Sequence, residues 1–267
     1  MVLWFRLPDE LVDAILVHAF IDSLQASRRW AASLLLISKS AQRWLAPRLY
    51  HTLRLTYTNA PAFIRLVEES HPSLLLLHTL IFDCGPESRT CLQEARTDIL
   101  AQADITRYSG PRYIFAMLAL CEVHPGFAPT HIRVDKVNMA FLLRHELSSA
   151  FSRLTHLYIE FLLPPLARPW PPQTENWYMP PTLRVVILRS SGLGMVQSVY
   201  QIICRDLAWF FTEDLERLTV IVPPMPGDAH QSRGRALLPA WAEERRETRL
   251  YLTHDAASTF DIDDNSG

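Results

Sequence analysis

The side chains able to do chemistry of their own in this chain are ten histidines and four cysteines, set among 28 carboxylates. Cys84, Cys91, Cys121 and Cys204 show no C-x-x-C spacing, so neither a zinc cluster nor a dithiol redox pair is written into them. Four cysteines in 267 residues are also too sparse for a disulfide framework, which predicts buried thiols. No H-E-x-x-H or G-x-S-x-G occurs. Gly192-Leu193-Gly194 stands where a phosphate loop would, after an apolar run ending at Leu188 and before a helical pattern opening at Met195. Phosphate binding there needs a further small residue or a lysine; Gln197 occupies the small-residue position, so an ordinary turn is expected. His145-Glu146 sits inside a helical pattern, and His78, His131 and His156 each precede a short apolar run, which marks them as repeat positions. The reading is no catalytic residue, no metal and no cofactor. Paired carboxylates brought together by a fold leave no such spacing, so an enzyme with a site assembled across strands is the reading with least sequence support.

The elements that would position any site come next. The chain is long enough to bury a substantial core, and 49% hydrophobic with 20% charged residues is ordinary globular composition. A net charge of -2, a pI near 6.5 and no sustained Lys/Arg run provide no field for a phosphate backbone, so no nucleic-acid partner is expected. No run of about 18 uncharged apolar residues occurs, and Met1–Arg6 is too short for a signal core, which predicts a soluble intracellular protein with no membrane partner, cytoplasmic or nuclear. Only Lys39 and Lys136 are lysines. A genome biased toward arginine codons accounts for that as well as a need for few ubiquitin-acceptor lysines does.

Pro8 suits the first turn of a helix, where its missing N–H costs nothing, and Asp9 and Glu10 favour the positive end of the dipole. Leu11, Ile15, Leu16 and Ala19 recur at helical spacing, with Val12 and Phe20 widening the stripe. A second helical segment, about Ser27 to Trp44, carries Trp30, Leu34, Leu35, Ile37 and Ala41, with Lys39, Arg43 and Arg48 as a basic patch and Pro47 expected to stop it. Two or three helices in about 45 residues bury little by themselves, so either the rest of the chain or a partner must cover them.

Leu7-Pro8-Asp9-Glu10-Leu11-x-x-x-Ile15-Leu16, then Leu34-Leu35-Leu36-Ile37-Ser38-Lys39, then Arg43-Trp44-Leu45-Ala46-Pro47-Arg48-Leu49-Tyr50 resembles an F-box over about the first fifty residues. The Ala-Pro-Arg-Leu-Tyr-His-Thr-Leu ending is similar to the large fungal class of F-box-like proteins, in which such a segment leads into the first strand. Ser38 stands where that family often has Cys and Ala41 where it commonly has Trp, while Trp44 comes three positions later. The resemblance implies binding to the Skp adaptor of an SCF-type ubiquitin ligase, and through it a cullin-RING ligase. By position, the adaptor-facing residues would be Leu7, Pro8, Leu11, Ile15, Leu16, Leu36, Ile37 and Lys39.

From Leu53 onward a short alternating run keeps returning: Leu53–Leu55, Leu80–Phe82, Ile132–Val134, Leu157–Ile159, Val185–Ile187, Leu218–Val220 and Leu250–Leu252, with starts 27, 52, 25, 28, 33 and 32 residues apart. That is close to a leucine-rich-repeat period if the gap of 52 hides one degenerate strand. Helical patterns lie between: Pro61–Glu69, Tyr113–Val123, Met139–Phe151, Met195–Phe211 and Leu237–Arg246. The fold class is therefore α/β, a helical F-box-like module followed by an irregular leucine-rich-repeat-like solenoid of parallel strands with outer helices. The module spans 1–50, the repeats 51–255 and an acidic disordered tail 256–267, with Pro-rich Leu163–Pro181 and the loop Pro223–Arg235 as insertions.

Leu53, Leu55, Leu80, Phe82, Leu157, Ile159, Leu218 and Val220 should point into the core. Arg54, Ile81, Asp83, Arg133, Asp135, Tyr158, Glu160, Thr219 and Tyr251 should line the other face, where Arg54, Asp83, Arg133, Asp135, Tyr158, Glu160 and Tyr251 are the candidates for binding an unidentified target protein. The functional expectation is a substrate-receptor subunit without bond chemistry. The alternative is a non-catalytic repeat scaffold whose N-terminal helices only cap the solenoid.

Overall fold

Pro8 starts the first helix with its carbonyl, which accepts the Leu11 and Val12 N–H groups at 2.9 and 3.2 Å. Helix α1 runs Asp9–Ala26, α2 Arg28–Leu34 and α3 Lys39–His51. This is a computed structural model describing residues 8–26, 28–83, 98–121, 126–137, 145–161, 180–190, 211–221 and 239–253. The chain divides into two compact units, Met1–Asp104 and Ile105–Gly267.

The single segment expected from Ser27 to Trp44 is two helices, and the cause is local. At the end of α2 the Ser33 hydroxyl donates to the Trp30 carbonyl at 2.6 Å, and Leu35, Leu36 and Ile37 close tight turns onto Ala32, Ser33 and Leu34. Ser38 is extended, and its Oγ accepts the Ala41 N–H at 3.0 Å, which caps a new helix. Pro47 does not stop α3 but lies inside it. It forfeits one backbone bond in the last turns, where few more remain to be made. Leu16, Phe20, Ala31, Leu34, Ala41 and Leu45 from the three helices close one core, with Val12, Val17, Ala19, Leu35 and Leu49 around it.

Strand β1, Thr52–Leu55, follows α3 directly and pairs in parallel with β2, Thr79–Phe82, Leu53 opposite Leu80 and Leu55 opposite Phe82. Between them α4, Ala60–Glu68, buries Phe63 and Val67, and a 3-10 turn spans Pro72–Leu76. A short helix α5, Asp98–Gln102, completes the described part of this unit.

In the second unit β3 (Arg107–Pro111), β4 (His131–Val137), β5 (His156–Phe161), β6 (Val185–Ser190), β7 (Arg217–Ile221) and β8 (Leu250–Thr253) pair in that order, every pair parallel. Helix α6, Arg112–Ala119, follows β3. Parallel neighbours need a crossover between them, and among the described residues α6 lies in the one from β3 to β4 and residues 239–244 are helical in the one from β7 to β8. Strand starts fall 24 to 33 residues apart among the described residues, and β3 fills the long gap where a degenerate strand was expected. The chain is thus α/β with parallel strands in sequence order within each unit, an arrangement that fits an α/β solenoid.

The core face alternates as anticipated: Leu55, Leu80, Phe82, Leu157, Ile159, Leu218 and Val220 are buried and Leu53 half-buried. Tyr108 of β3 joins Phe115 of α6 and Phe127 with ring centroids 5.6 and 6.1 Å away, and Phe151 stacks on Phe115 at 5.7 Å. The buried Tyr108 hydroxyl donates to the Pro111 carbonyl at 2.8 Å, so the core carries no unmet donor there.

Two helical expectations are met: α4 and α6 cover Pro61–Glu69 and the start of Tyr113–Val123. The described end of Met139–Phe151 is a 3-10 turn at His145–Leu147 followed by further turns, where Ser148 and Ser149 disfavour a continuous helix. Residues 239–244 are helical, within Leu237–Arg246. Gly192–Gly194, nearly all of Met195–Phe211 and Leu163–Pro181, the loop Pro223–Arg235 and the tail 256–267 lie outside the described residues.

Candidate functional site

Leu11 and Ile15 are one turn apart on α1, so their side chains adjoin, and they are 51% and 43% exposed. The opposite side of the same helix supplies Leu16 and Phe20 to the core. A helix apolar on both sides has more to bury than its own unit covers. The turn after α2 adds Leu36 and Ile37, 86% and 57% exposed, and Trp30 and Trp44 are open as well. Of the eleven large hydrophobic residues exposed among the described residues, seven fall between Leu11 and Trp44. Exposed apolar side chains are thus most numerous in this helical segment among the described residues. Beside them α1 and α3 form a groove of about 400 Å³, with Ala14 and Val17 on one wall and Ala41 and Trp44 on the other.

The adaptor-facing residues inferred from the resemblance divide accordingly. Pro8, Leu11, Ile15, Leu36, Ile37 and Lys39 are at the surface. Leu16 is withdrawn from that set, because one residue past Ile15 the helix has turned by about 100° and carries its side chain into the three-helix core. Leu7 lies outside the described residues. Lys39, Arg43 and Arg48 are exposed on α3, and none of the ion pairs among the described residues involves them.

The candidate target residues lie on the strand face away from the core. In the first unit Arg54 donates Nε and Nη2 to Asp83 Oδ2 at 3.2 and 2.9 Å, an exposed pair of the kind that contributes at most about 1 kcal/mol. Asn59 fixes the adjoining turn by accepting the Thr56 N–H at 2.7 Å and donating to the Arg54 carbonyl at 2.9 Å.

In the second unit, register partners of parallel strands share a side of the sheet, so the outward residues form three rows. The entry row is Arg107, His131, His156, Val185 and Arg217. The middle row is Ser109, Arg133, Tyr158, Ile187, Thr219 and Tyr251. The exit row holds Asp135, Glu160, Arg189 and Ile221. Arg133 lies over the Tyr158 ring at 4.7 Å and 3.6 Å from Asp135, an ion pair too long for a hydrogen bond. A hydrogen bond to Tyr158, with Glu160 and Asp135 nearby, raises the pKa of Arg189 and keeps it charged.

Two residues expected on this face, one of them the target candidate Tyr158, are not accessible. Tyr158 is 4% exposed and Thr219 1%, and Ile187 and Ile221 beside them are also buried, forming with Tyr158 and Val185 a second apolar cluster on the side away from the main core. Alternation puts a side chain on a face but does not decide what packs over it. Tyr251 remains 48% exposed, with the Arg217 guanidinium 4.8 Å above its ring. Arg133, Asp135 and Glu160 are half-buried.

The entry row was not among the sequence candidates, although its signal was there in the recurring lead-ins Thr130-His131, Thr155-His156 and Glu216-Arg217. Among the described residues no group of three His, Cys, Asp or Glu is placed to hold a metal ion, and no helix is long and apolar enough to cross a membrane. Cys121 is half-buried; the other three cysteines lie outside the described residues. Comparison of the chain with protein-family models, curated proteins and solved structures gives no match.

Proposed function

We propose that this chain is a substrate-receptor subunit of an SCF-type ubiquitin ligase, docking on the Skp adaptor through α1 to α3 and holding a target protein on the outward strand face. The observation that supports it is the exposed apolar set Leu11, Ile15, Leu36 and Ile37 on a helical module whose own core is already complete. The F-box-like pattern of those residues names the partner. The role is proximity: the adaptor brings a separate ubiquitin-transferring enzyme near the held target, and the effective concentration does the rest.

The test is Leu11→Asp with Ile15→Asp in a pull-down with purified adaptor. Both positions are exposed, so circular dichroism should be unchanged while adaptor capture falls at least about a hundredfold; capture that persists removes the docking role. A second reading, a repeat scaffold capped by these helices, draws on the packing of α3 against β1 and the 3-10 turn within the first unit. It requires that deleting residues 1–50 unfold that unit and that no adaptor bind the intact chain.

A further inference from the structure

The middle row of the second unit's outward face is buried from Tyr158 to Thr219, so a partner reaching this face must use the rows on either side. The exit row mixes Asp135 and Glu160 with Arg189, whereas the entry row has arginine at both ends and no carboxylate. We infer that the entry row, from Arg107 to Arg217, is a docking strip for an acidic segment of a partner protein laid across the strands. This rests on reading that face as the target-binding face and adds the chemistry of the target.

Arg107 and Arg217 are four strand spacings apart, about 19 Å at 4.8 Å each, which an extended peptide spans in about six residues. Arg217 is already in place: its Nε donates to Thr219 Oγ1 at 3.1 Å and its plane lies over Tyr251, which leaves the terminal nitrogens for a bidentate carboxylate. Glu216, its neighbour in sequence, is 3.6 Å from Arg184, and the two charges act on His156 with opposite sign. Between the two arginines the strip is low in charge: His131 and His156 stack face to face, and Val185 follows. The segment that fits has carboxylates at its ends and uncharged or apolar side chains between. A nucleic acid fits less well, because it needs charge neutralised at every step, and the strip offers two arginines, one at each end.

Fluorescence anisotropy on the full chain tests this, with a fluorescein-labelled peptide of about eight residues bearing two glutamates at each end and a leucine-containing middle, and a twin in which every Glu is Gln. The glutamate peptide should bind at least about tenfold more tightly than its twin, and Arg107→Glu or Arg217→Glu should remove that preference. Arg65→Glu, an exposed change on α4, should leave it intact. Should Arg107→Glu fail to fold, Arg107→Gln must still lower the preference. Equal binding of the two peptides, an equal loss from Arg65→Glu, or tighter binding of a single-stranded oligonucleotide of similar length overturns the assignment. No adaptor is present in the titration, so its failure leaves the docking of α1 to α3 untouched, and loss of docking leaves the strip untouched.

Discussion

His131 and His156 lie 4.2 Å apart with their rings 8° from parallel, and their Nδ1 atoms sit 2.9 Å from the hydroxyls of Thr130 and Thr155. Each hydroxyl donates its own proton to a carbonyl on the preceding turn, Thr130 to Thr106 and Thr155 to Thr130, both at 3.0 Å. The hydroxyl oxygens must therefore accept from the rings, which assigns the neutral tautomer with its proton on Nδ1. Burial, His156 and Arg107 together push the His131 pKa down to about 4, and burial foremost lowers that of His156. The unfolded chain protonates His131 near pH 6.5 and the folded chain only near 4, so the stability linked to this ring is full above pH 6.5 and declines as pH falls toward 4, and the lowered His156 acts in the same direction. Both residues are half-buried, so after discounting for solvent screening the loss from His131 is on the order of 1–2 kcal/mol. Urea midpoints measured from pH 7.5 to 4 should show it, with the slope reduced in His131→Asn; an identical slope in that variant would assign the acid sensitivity to other groups. The histidines were legible as repeat positions, because each precedes a strand, but their stacking depends on register between strands and could not be read from spacing.

At the scale of elements, the start and apolar stripe of α1 were legible from Pro8 and the Leu11–Ile15–Ala19 periodicity, whereas its extent to Ala26 and the α2–α3 break were not. Leu34-Leu35-Leu36-Ile37 continues an apolar pattern, and the hydrogen bonds that end one helix and cap the next belong to Ser33 and Ser38, whose hydroxyls could serve equally well on a helix surface. Strand β3 was expected from the period yet not located, because Tyr108-Ser109-Gly110-Pro111 has poor strand propensity. The end of α4 carries a testable cost. Ser70 has φ 49°, with its N–H bonded to the Val67 carbonyl at 3.0 Å and the His71 N–H to Leu66 at 2.9 Å, the paired bonds of a helix stop that favours glycine. Ser70→Gly should gain about 0.5–1 kcal/mol by removing the left-handed penalty on a side chain. A thermal melt with a lower midpoint than the parent would show that the serine contributes something at that turn beyond its backbone.

For the molecule as a whole, sequential parallel strands mean that each repeat touches mainly its neighbours, so damage should stay local. Arg249 tests this in the second unit: it chelates Glu247 at 2.8 and 2.7 Å, holds the Glu247 pKa down, and donates to the carbonyls of Thr212 and Leu215 at 2.9 and 3.0 Å. Arg249→Ala leaves two carbonyls without their donor and should cost about 2 kcal/mol. Native-state hydrogen exchange should then accelerate in β7 and β8 while β4 and β5 keep their protection; uniform acceleration across β3 to β8 would mean that the unit opens as one block. By itself the amino-acid order determined the strand period, the inward set from Leu55 to Val220 and the helical character of α1 to α3, because alternation and helical periodicity are properties of neighbours along the chain. Only the tertiary structure decided that Leu16 and Tyr158 are covered while Leu36, Tyr251 and Arg217 are open. Exposure depends on what packs on top of a side chain, and that comes from residues far away in sequence.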